Sequence, residues 1–156
     1  MENFNIENLD ILPFSLPYLE DVAYIHTNVM DGWTMKGLIG DIANDTTCSY
    51  VAVYDKKAVA FCSFQVVDDA ELLFVCVHPE YRKLGIANKL LHDAIVALPQ
   101  GINSVVLEVR SQNLPAINLY NKMGFETLGK RKKFYSFPED DAIVMELFKG
   151  GVRELD

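Results

Sequence analysis

Glu108 and Tyr120 are two side chains whose chemistry suits general acid–base catalysis. Glu108 is an acid within the apolar run VVLEVR, and Tyr120 lies in the segment that follows, NLPAINLYNKMG. A carboxylate can take a proton from an attacking amine, and a phenol can return one to a leaving group. Each residue also has a structural interpretation: Glu108 as a surface charge paired with Arg110 or Lys130, and Tyr120 as an interior aromatic with its hydroxyl bonded to the backbone.

The spacing of the neighbouring residues brings a third side chain into the same region. Asn113 and Tyr120 are seven residues apart in a predicted helix. Seven residues at about 100° each make two turns less about 20°, so both side chains leave the same helix face and can serve one ligand. In the strand before that helix, alternation places Glu108 on the face opposite Leu107 and Val109.

A second region of possible chemistry is the segment LLFVCVHPEYRKLGIANKLLHDAI. It predicts an apolar strand, a turn and an amphipathic helix, an arrangement that presents unpaired N–H groups and the positive end of a helix dipole to an anion. Gly85 gives the turn its backbone freedom, Ala87 keeps the first helical turn small, and Arg82 and Lys83 add positive charge. The pattern matches neither a Walker P-loop nor GxGxxG. The alternative is an ordinary strand-to-helix connection.

The elements around these residues predict a mixed α/β fold. Apolar spacing predicts helices from Pro17 to Met30 and from Trp33 to Ala43, the second burying Leu38, Ile39 and Ile42. Three antiparallel strands follow, separated by the turns DKK and DD. A helix from Gly85, the strand SVVLEVR, the helix ending at Gly124 and two closing strands complete the pattern. We therefore expect residues 1–156 to form a single domain with a mostly antiparallel central sheet flanked by helices.

Composition excludes several classes of function. The net charge of -8 and the pI of about 4.8 argue against direct binding of nucleic acid. The apolar runs are too short to cross a bilayer, and the N-terminus lacks a signal pattern, which predicts a cytoplasmic protein. The histidines have no metal-ligand spacing, so no metal site is expected, and the odd number of cysteines predicts reduced, buried thiols. The cysteines are Cys48, Cys62 and Cys76.

The turn segment carries a family resemblance. VHPEYRKLGIANKLL resembles the acetyl-CoA motif Q/R-x-x-G-x-G/A of the GNAT superfamily of N-acetyltransferases. The resemblance implies the GNAT acyltransferase fold and acetyl-CoA as cosubstrate. It also implies that the strand backbone at Val75, Cys76 and Val77 pairs with the pantetheine arm. The pyrophosphate would lie over Arg82, Lys83, Leu84, Gly85, Ile86, Ala87 and Asn88.

A longer resemblance, from roughly Trp33 to Leu147, narrows the family. LEVRSQNLPAINLYNKMGF and KKFYSFPEDDAIVMEL, with weaker support from DGWTMKGL, are similar to the RimI-type ribosomal-protein alanine N-acetyltransferases. The resemblance implies that Glu108 is the proton acceptor, Tyr120 the proton donor and Asn113 a cofactor contact. It also implies acceptor contacts at Trp33 and Tyr135.

Two departures from that family concern the acceptor pocket. Phe134 stands where the family has the first of two tyrosines, and Asp140-Asp141-Ala142 replaces Glu-Asp-Ala. The neighbouring basic run KRKK is interpreted either as a solvated face or as a contact with phosphate or an acidic partner. The acidic run PEDDA is either a charged turn or a lip that attracts a basic peptide.

The predicted activity is transfer of acetyl from acetyl-CoA to the N-terminal amine of a protein, a ribosomal protein that begins with alanine. Because no Cys-His pair is evident in the sequence, direct attack in a ternary complex is expected, without an acyl-enzyme. The alternatives are an acetyltransferase of a small amine and a non-catalytic CoA-binding module. The sequence leaves the oligomeric state open.

Overall fold

A computed structural model describes residues 3–27 and 33–149. Within them, seven strands form one sheet in the order β1-β2-β3-β4-β5-β7-β6. All neighbouring strands are antiparallel except β4 and β5, which are parallel. The strands are β1 (Asp10–Pro13), β2 (Thr47–Tyr54), β3 (Lys57–Val66), β4 (Ala70–Val77), β5 (Ser104–Arg110), β6 (Glu126–Tyr135) and β7 (Asp140–Phe148). The predicted mixed, mostly antiparallel sheet is confirmed.

Helices cover both faces of this sheet. They are α1 (Leu19–His26), α2 (Met35–Ala43), α3 (Ile86–Val96) and α4 (Leu114–Met123). On the α3/α4 face, buried residues such as Leu90 and Met123 pack with Leu107 of β5. On the α1/α2 face, Val22 and Leu38 pack with strand residues of β2 and β3. Because successive strand residues point to opposite faces, the two cores share the same strands.

The β2–β3 hairpin shows how local sequence fixes the meander. Asp55 and Lys56 both have positive φ, 50° and 67°, between the end of β2 and the start of β3. Positive φ at both central residues is typical of a type I′ turn, whose twist matches that of the flanking strands. The predicted DKK turn is therefore confirmed.

Three details differ from the prediction. Helix α1 begins at Leu19, after a 3-10 turn at Leu16–Tyr18, and the predicted end of that helix at Met30 lies outside the described residues. The four-residue strand β1 was not predicted. In α2, Ile39 is 46% exposed, whereas Asp41 is buried where it accepts hydrogen bonds from the hydroxyls of Ser49 and Ser63.

The cysteines are free thiols, but only Cys62 is fully buried. The prediction that all three are buried is therefore wrong for Cys48 and Cys76, which are half-buried. Among the described residues, no helix has the length and apolar character needed to cross a bilayer. The same residues contain no cluster of histidine, cysteine and carboxylate side chains that could hold a metal ion.

Candidate active site

The sheet opens between β4 and β5. These strands pair only over Ala70–Leu72 and Val105–Leu107, although β4 continues to Val77 and β5 to Arg110. The separation begins at a bulge, since Phe64 pairs with Leu72 and Ser63 with Phe74, which leaves Leu73 as the extra residue. Beyond the bulge, β4 pairs with β3 on one side only. Its other edge presents backbone N–H and C=O groups that a ligand can bind.

Side chains alternate across this opening. On β4, Val75 packs with the α3/α4 core and Cys76 with the α1/α2 core. On β5, Leu107 belongs to the α3/α4 core, so Glu108 points to the α1/α2 face, as alternation predicts. Different side chains therefore border the opening on the two faces of the sheet.

The segment after β4 forms a turn suited to an anion. Lys83 and Gly85 both have positive φ, 63° and 82°, directly before α3. The first backbone bond of the helix runs from the Lys89 N–H to the Gly85 carbonyl, so the N–H groups of residues 86–88 precede the helical ladder. Left-handed residues in a turn orient successive N–H groups into a concave anion site, and the helix dipole adds to it.

Positive side chains complete this turn. The Arg82 Nε donates a hydrogen bond to the carbonyl of Val77 at 3.3 Å, which ties the turn to the end of β4. Lys83 is exposed beside it. Backbone donors, a helix N-terminus and two cations fit a diphosphate, and the free edge of β4 fits an amide-containing arm. The residues that the sequence resemblance assigns to acetyl-CoA lie in this turn and on this edge, and their contact with the cofactor stays a prediction.

Glu108 has an uncommon environment for a carboxylate. Its side chain is 25% exposed, yet its Oε2 atom is buried and accepts no hydrogen bond from the described residues. The Arg131 Nε lies 3.5 Å from that oxygen, close enough for an ion pair but without hydrogen-bond geometry. The cation observed beside Oε2 is Arg131, whereas Arg110 donates a hydrogen bond to the Pro138 carbonyl and Lys130 pairs with Asp141.

Tyr120 is fixed by the end of α4. The Phe125 N–H bonds to the Tyr120 carbonyl and the Gly124 N–H to that of Asn121, with Gly124 in the left-handed region at φ 108°. This is a Schellman motif, and the Tyr120 and Phe125 rings make the apolar contact that accompanies it. Tyr120 is 6% exposed in the α3/α4 core. Glu108 and Tyr120 thus belong to opposite faces of the sheet, on elements adjacent to its opening.

The electrostatics of Tyr120 keep its hydroxyl protonated. Burial raises its pKa well above the usual value for tyrosine, and the nearby Tyr135 and Cys62 side chains raise it further. A protonated phenol can serve as a proton donor, and that role of Tyr120 stays a prediction.

Asn113 caps the N-terminus of α4. Its Oδ1 accepts a hydrogen bond from the Ala116 N–H at 3.3 Å. This local role explains why an asparagine precedes the helix, because a cap satisfies an otherwise unpaired N–H group. The role of Asn113 as a cofactor contact stays a prediction.

Trp33 and His26 form part of the α1/α2 face. The Trp33 ring lies edge-on to Phe74 of β4 at 4.6 Å, and its backbone N–H donates to the His26 Nε2 at 2.8 Å. Burial lowers the pKa of His26, which the charge of Asp41 opposes in part. The tryptophan predicted to contact the acceptor therefore lies against β4, and its contact with an acceptor stays a prediction.

His26 also corrects a prediction about nucleophilic chemistry. Its Nδ1 lies 3.8 Å from the Sγ of Cys76, so a Cys-His pair exists that sequence spacing did not reveal. Burial raises the pKa of Cys76 to about 12, with a small opposing effect of Arg82. A thiol held in its protonated form is a poor nucleophile.

The β6–β7 loop is fastened to the start of α4. The Ser111 Oγ donates to Asp140 at 2.5 Å, and the Gln112 N–H donates to the same carboxylate at 3.2 Å. The Ser111 hydrogen bond is the main reason that the pKa of Asp140 is lowered. The guanidinium of Arg110 lies 4.3 Å from the centre of the Tyr135 ring. The Tyr135 ring is thereby held against Arg110, which is two residues after Glu108 in β5.

Besides the His26–Cys76 pair, two features of this region are not predicted from the sequence. The buried Asp41 cluster had no motif, although a single acid among the apolar residues of α2 was a signal. The contact of Arg131 with Glu108 is not evident when KRKK is treated as one charged segment. Strand alternation within that segment would have separated Arg131 from its neighbours.

The fold and this opening are those of an acetyltransferase. The model of the acetyltransferase (GNAT) family matches residues 8–125, and the chain belongs to that family. This confirms the predicted class of enzyme, an acetyl-CoA-dependent N-acetyltransferase.

Individual relatives include acetyltransferases of a ribosomal protein and of a polyamine. A ribosomal protein bS18-alanine N-acetyltransferase of Salmonella typhimurium is 36% identical over 119 residues, 74% of this chain and 80% of that protein. The crystal structure of the ribosomal-protein-S18-alanine N-acetyltransferase from Escherichia coli is 27% identical, with a TM-score of 0.82 over 95% of this chain and 96% of that one. A spermidine N-acetyltransferase of Vibrio cholerae shares the fold, with a TM-score of 0.80, 17% identity, and coverage of 92% and 95%.

Proposed function

We propose that this protein transfers the acetyl group of acetyl-CoA to the N-terminal amine of a cytoplasmic protein, a ribosomal protein of the bS18 type that begins with alanine. The similarity to bS18-alanine N-acetyltransferases supports this substrate. The observation that carries the chemistry is Glu108, whose buried Oε2 lies on the strand that borders the opening and has no hydrogen-bond donor among the described residues.

The chain offers two sets of groups for acetyl-CoA. Backbone N–H groups from Arg82 to Asn88 would hold the diphosphate, and the free edge of β4 from Val75 to Val77 would pair with the pantetheine arm. When bound, acetyl-CoA supplies an acetyl thioester, which an amine can attack. The protein must therefore supply a base for the amine and an acid for the departing sulfur.

Glu108 is the base in this proposal. It takes a proton from the acceptor amine, directly or through a water molecule. The α-amino group has a pKa of about 7.7–8.0, whereas a lysine side chain has one of about 10.4, so a single carboxylate suffices for an N-terminus. Tyr120 is the acid, since its raised pKa keeps the hydroxyl protonated.

We also propose direct transfer without an acyl-enzyme. The candidate nucleophile, Cys76, is protonated because burial raises its pKa to about 12. Its histidine neighbour is itself desolvated, and burial lowers the pKa of His26. The Cys76 thiol is therefore not converted to a nucleophilic thiolate at neutral pH.

The test is mass spectrometry of a reaction containing the purified protein, acetyl-CoA and a peptide that carries the N-terminus of bS18. We expect acetylation of the terminal alanine and none of the same peptide with a blocked N-terminus. Spermidine is the parallel acceptor, because a spermidine acetyltransferase shares the fold. Turnover of spermidine alone would replace the proposal by acetylation of a small amine. Binding of acetyl-CoA without modification of any acceptor would indicate a binding module.

A further inference from the structure

Arg131 lies on the same sheet face as Glu108. In the register of the sheet, Glu108 pairs with Val144, which pairs in turn with Gly129. Arg131 is two residues beyond Gly129 and pairs with Ala142 of β7. Since residues two apart in a strand share a face, Arg131 projects toward the row that contains Glu108. The 3.5 Å separation of the Arg131 Nε and the Glu108 Oε2 agrees with this register.

Gly129 has no side chain to cover the cross-strand row formed by Glu108, Val144 and Gly129. A Cβ placed on Gly129 would have no atom of the described residues within 4 Å. Arg131 is 61% exposed, with its guanidinium 5.8 Å from the centre of the Phe134 ring. The Arg131 guanidinium thus lies between the Phe134 ring and the Glu108 carboxylate and is largely exposed to solvent.

Two other basic residues near Glu108, Arg110 and Lys130, have partners besides Glu108. Arg110 donates to the Pro138 carbonyl at 2.8 Å and lies over Tyr135. Lys130 projects to the other face and lies 3.7 Å from Asp141. Arg131 lies 3.5 Å from the Glu108 carboxylate, so its charge acts directly on an acceptor amine beside Glu108.

We propose that Arg131 determines the class of amine that the enzyme accepts. Its positive charge beside Glu108 disfavours an acceptor that arrives as a cation and so favours an amine that is already neutral near pH 7.5. By the reference pKa values, roughly a third of an N-terminal amine is neutral at that pH, against about 0.1% of a lysine side chain. Arg131 thereby selects N-termini over lysines and polyamines. This inference rests on the proposed function and names the residue that gives it selectivity.

The expected effect is modest because Arg131 is largely exposed. Solvent and salt screen a charge at the surface, and an effective dielectric near that of a protein surface leaves an effect of about three- to tenfold on the relative binding of a cation. The effect concerns the ratio between acceptors. It differs from loss of the base, which lowers turnover of every acceptor.

The test compares Arg131→Met, which removes the charge and keeps a long side chain, with Arg131→Lys, which keeps the charge. Lys132→Met is the control, because Lys132 is exposed in the same strand and forms no ion pair among residues 3–27 and 33–149. The acceptors are a peptide with a free N-terminal alanine, the same peptide with a blocked N-terminus and one lysine, and spermidine. The values of kcat/KM are measured for each variant, together with acetyl-CoA affinity and Tm.

We expect Arg131→Met to raise kcat/KM for the lysine peptide and spermidine by about three- to tenfold relative to the alanine peptide. Arg131→Lys and Lys132→Met should retain the wild-type ratio. A Met variant that retains the ratio, or that loses activity equally on all acceptors, overturns the inference while leaving the proposed function intact. A wild-type enzyme that prefers the lysine peptide or spermidine overturns both.

Discussion

Among the single residues, Glu108 has a buried oxygen whose unmet need for a hydrogen bond indicates a ligand site. A buried charged oxygen without a hydrogen-bond donor costs about 1–3 kcal/mol or more. The Oε2 atom of Glu108 is buried in this way. The Arg131 guanidinium offsets the cost only in part, because its Nε lies 3.5 Å away without hydrogen-bond geometry. An amine or a water molecule that donates to Oε2 would remove the cost, which is what a base requires of its substrate.

Replacing Glu108 by glutamine tests this role. Glu108→Gln keeps the size of the side chain but removes the proton acceptor, so kcat should fall by about 10²–10⁴. Acetyl-CoA affinity should change little, since Glu108 lies on the face opposite the α3/α4 core. Steady-state kinetics and calorimetry give the two quantities. Glu71→Gln, an exposed glutamate of β4, is the control that should behave as wild type, and an active Glu108→Gln enzyme would reject the assignment.

The pKa of Tyr120 predicts the alkaline limb of the pH–rate profile. Its ordinary value is about 10, and burial raises it, so the phenol stays protonated beyond that pH. A proton donor is active below its pKa, so kcat should not decline between about pH 8 and pH 10 through loss of this proton. Tyr120→Phe should lower kcat across the whole range. A wild-type decline centred well below pH 10 that disappears in Tyr120→Phe would contradict a raised pKa.

At the scale of elements, the turn before α3 depends on one backbone conformation. Gly85 has φ +82°, and a Cβ there would also lie 3.5 Å from the Ile6 side chain. A residue with a side chain in the left-handed region costs about 1–2 kcal/mol. The easiest relief is a change of the turn, which would move the N–H groups that face the proposed diphosphate.

Gly85→Ala should therefore lose both stability and acetyl-CoA affinity. We expect a lower Tm and a Kd raised by about tenfold or more, equivalent to the 1.4 kcal/mol scale of the backbone penalty. Gly101→Ala is a matched control, because Gly101 has φ +96° with no atom within 4 Å of an added Cβ and lies in the loop after α3. It should lower Tm by a similar amount and leave Kd unchanged. Equal losses of affinity in both variants would show that the turn has no special role.

The elements also show which parts of the fold were readable from the sequence. The meander was predicted because its strands are long, apolar and separated by turn residues. β1 was missed because its four residues end in a proline and carry no alternation. The error at Ile39 had another cause: the apolar periodicity of α2 hid Asp41, whose burial depends on hydroxyls that come from β2 and β3. Such long-range partners have no local signal.

The candidate site divides in the same way. Glu108, Tyr120 and the turn from Arg82 to Asn88 were predicted because each belongs to a continuous motif. The contacts of Arg131 with Glu108 and of His26 with Cys76 join elements that are distant in sequence. Both depend on sheet register and helix packing, which the folded chain alone reveals.

In the whole molecule, the opening between β4 and β5 lies between the two cores that cover the faces of the sheet. The α3/α4 core holds Tyr120, and the α1/α2 core lies on the face to which Glu108 points. A ligand that pairs with the free edge of β4 would supply the hydrogen bonds that β5 does not. It would thus extend the hydrogen bonding of the sheet at the opening.

Acetyl-CoA should therefore stabilise the entire fold. A ligand at a concentration of 100 times its Kd stabilises the native state by about 2.7 kcal/mol, which corresponds to a rise in Tm of about 5–10 °C for a domain of this size. Glu108→Gln should show the same rise, because the base is not part of the proposed cofactor site. ATP offers phosphates and adenine but no pantetheine arm, so it should raise Tm much less at equal concentration. Thermal unfolding followed by fluorescence measures all three. If ATP and acetyl-CoA gave equal shifts, the β4 edge would not contribute to binding; if acetyl-CoA gave none, the opening would not be its site.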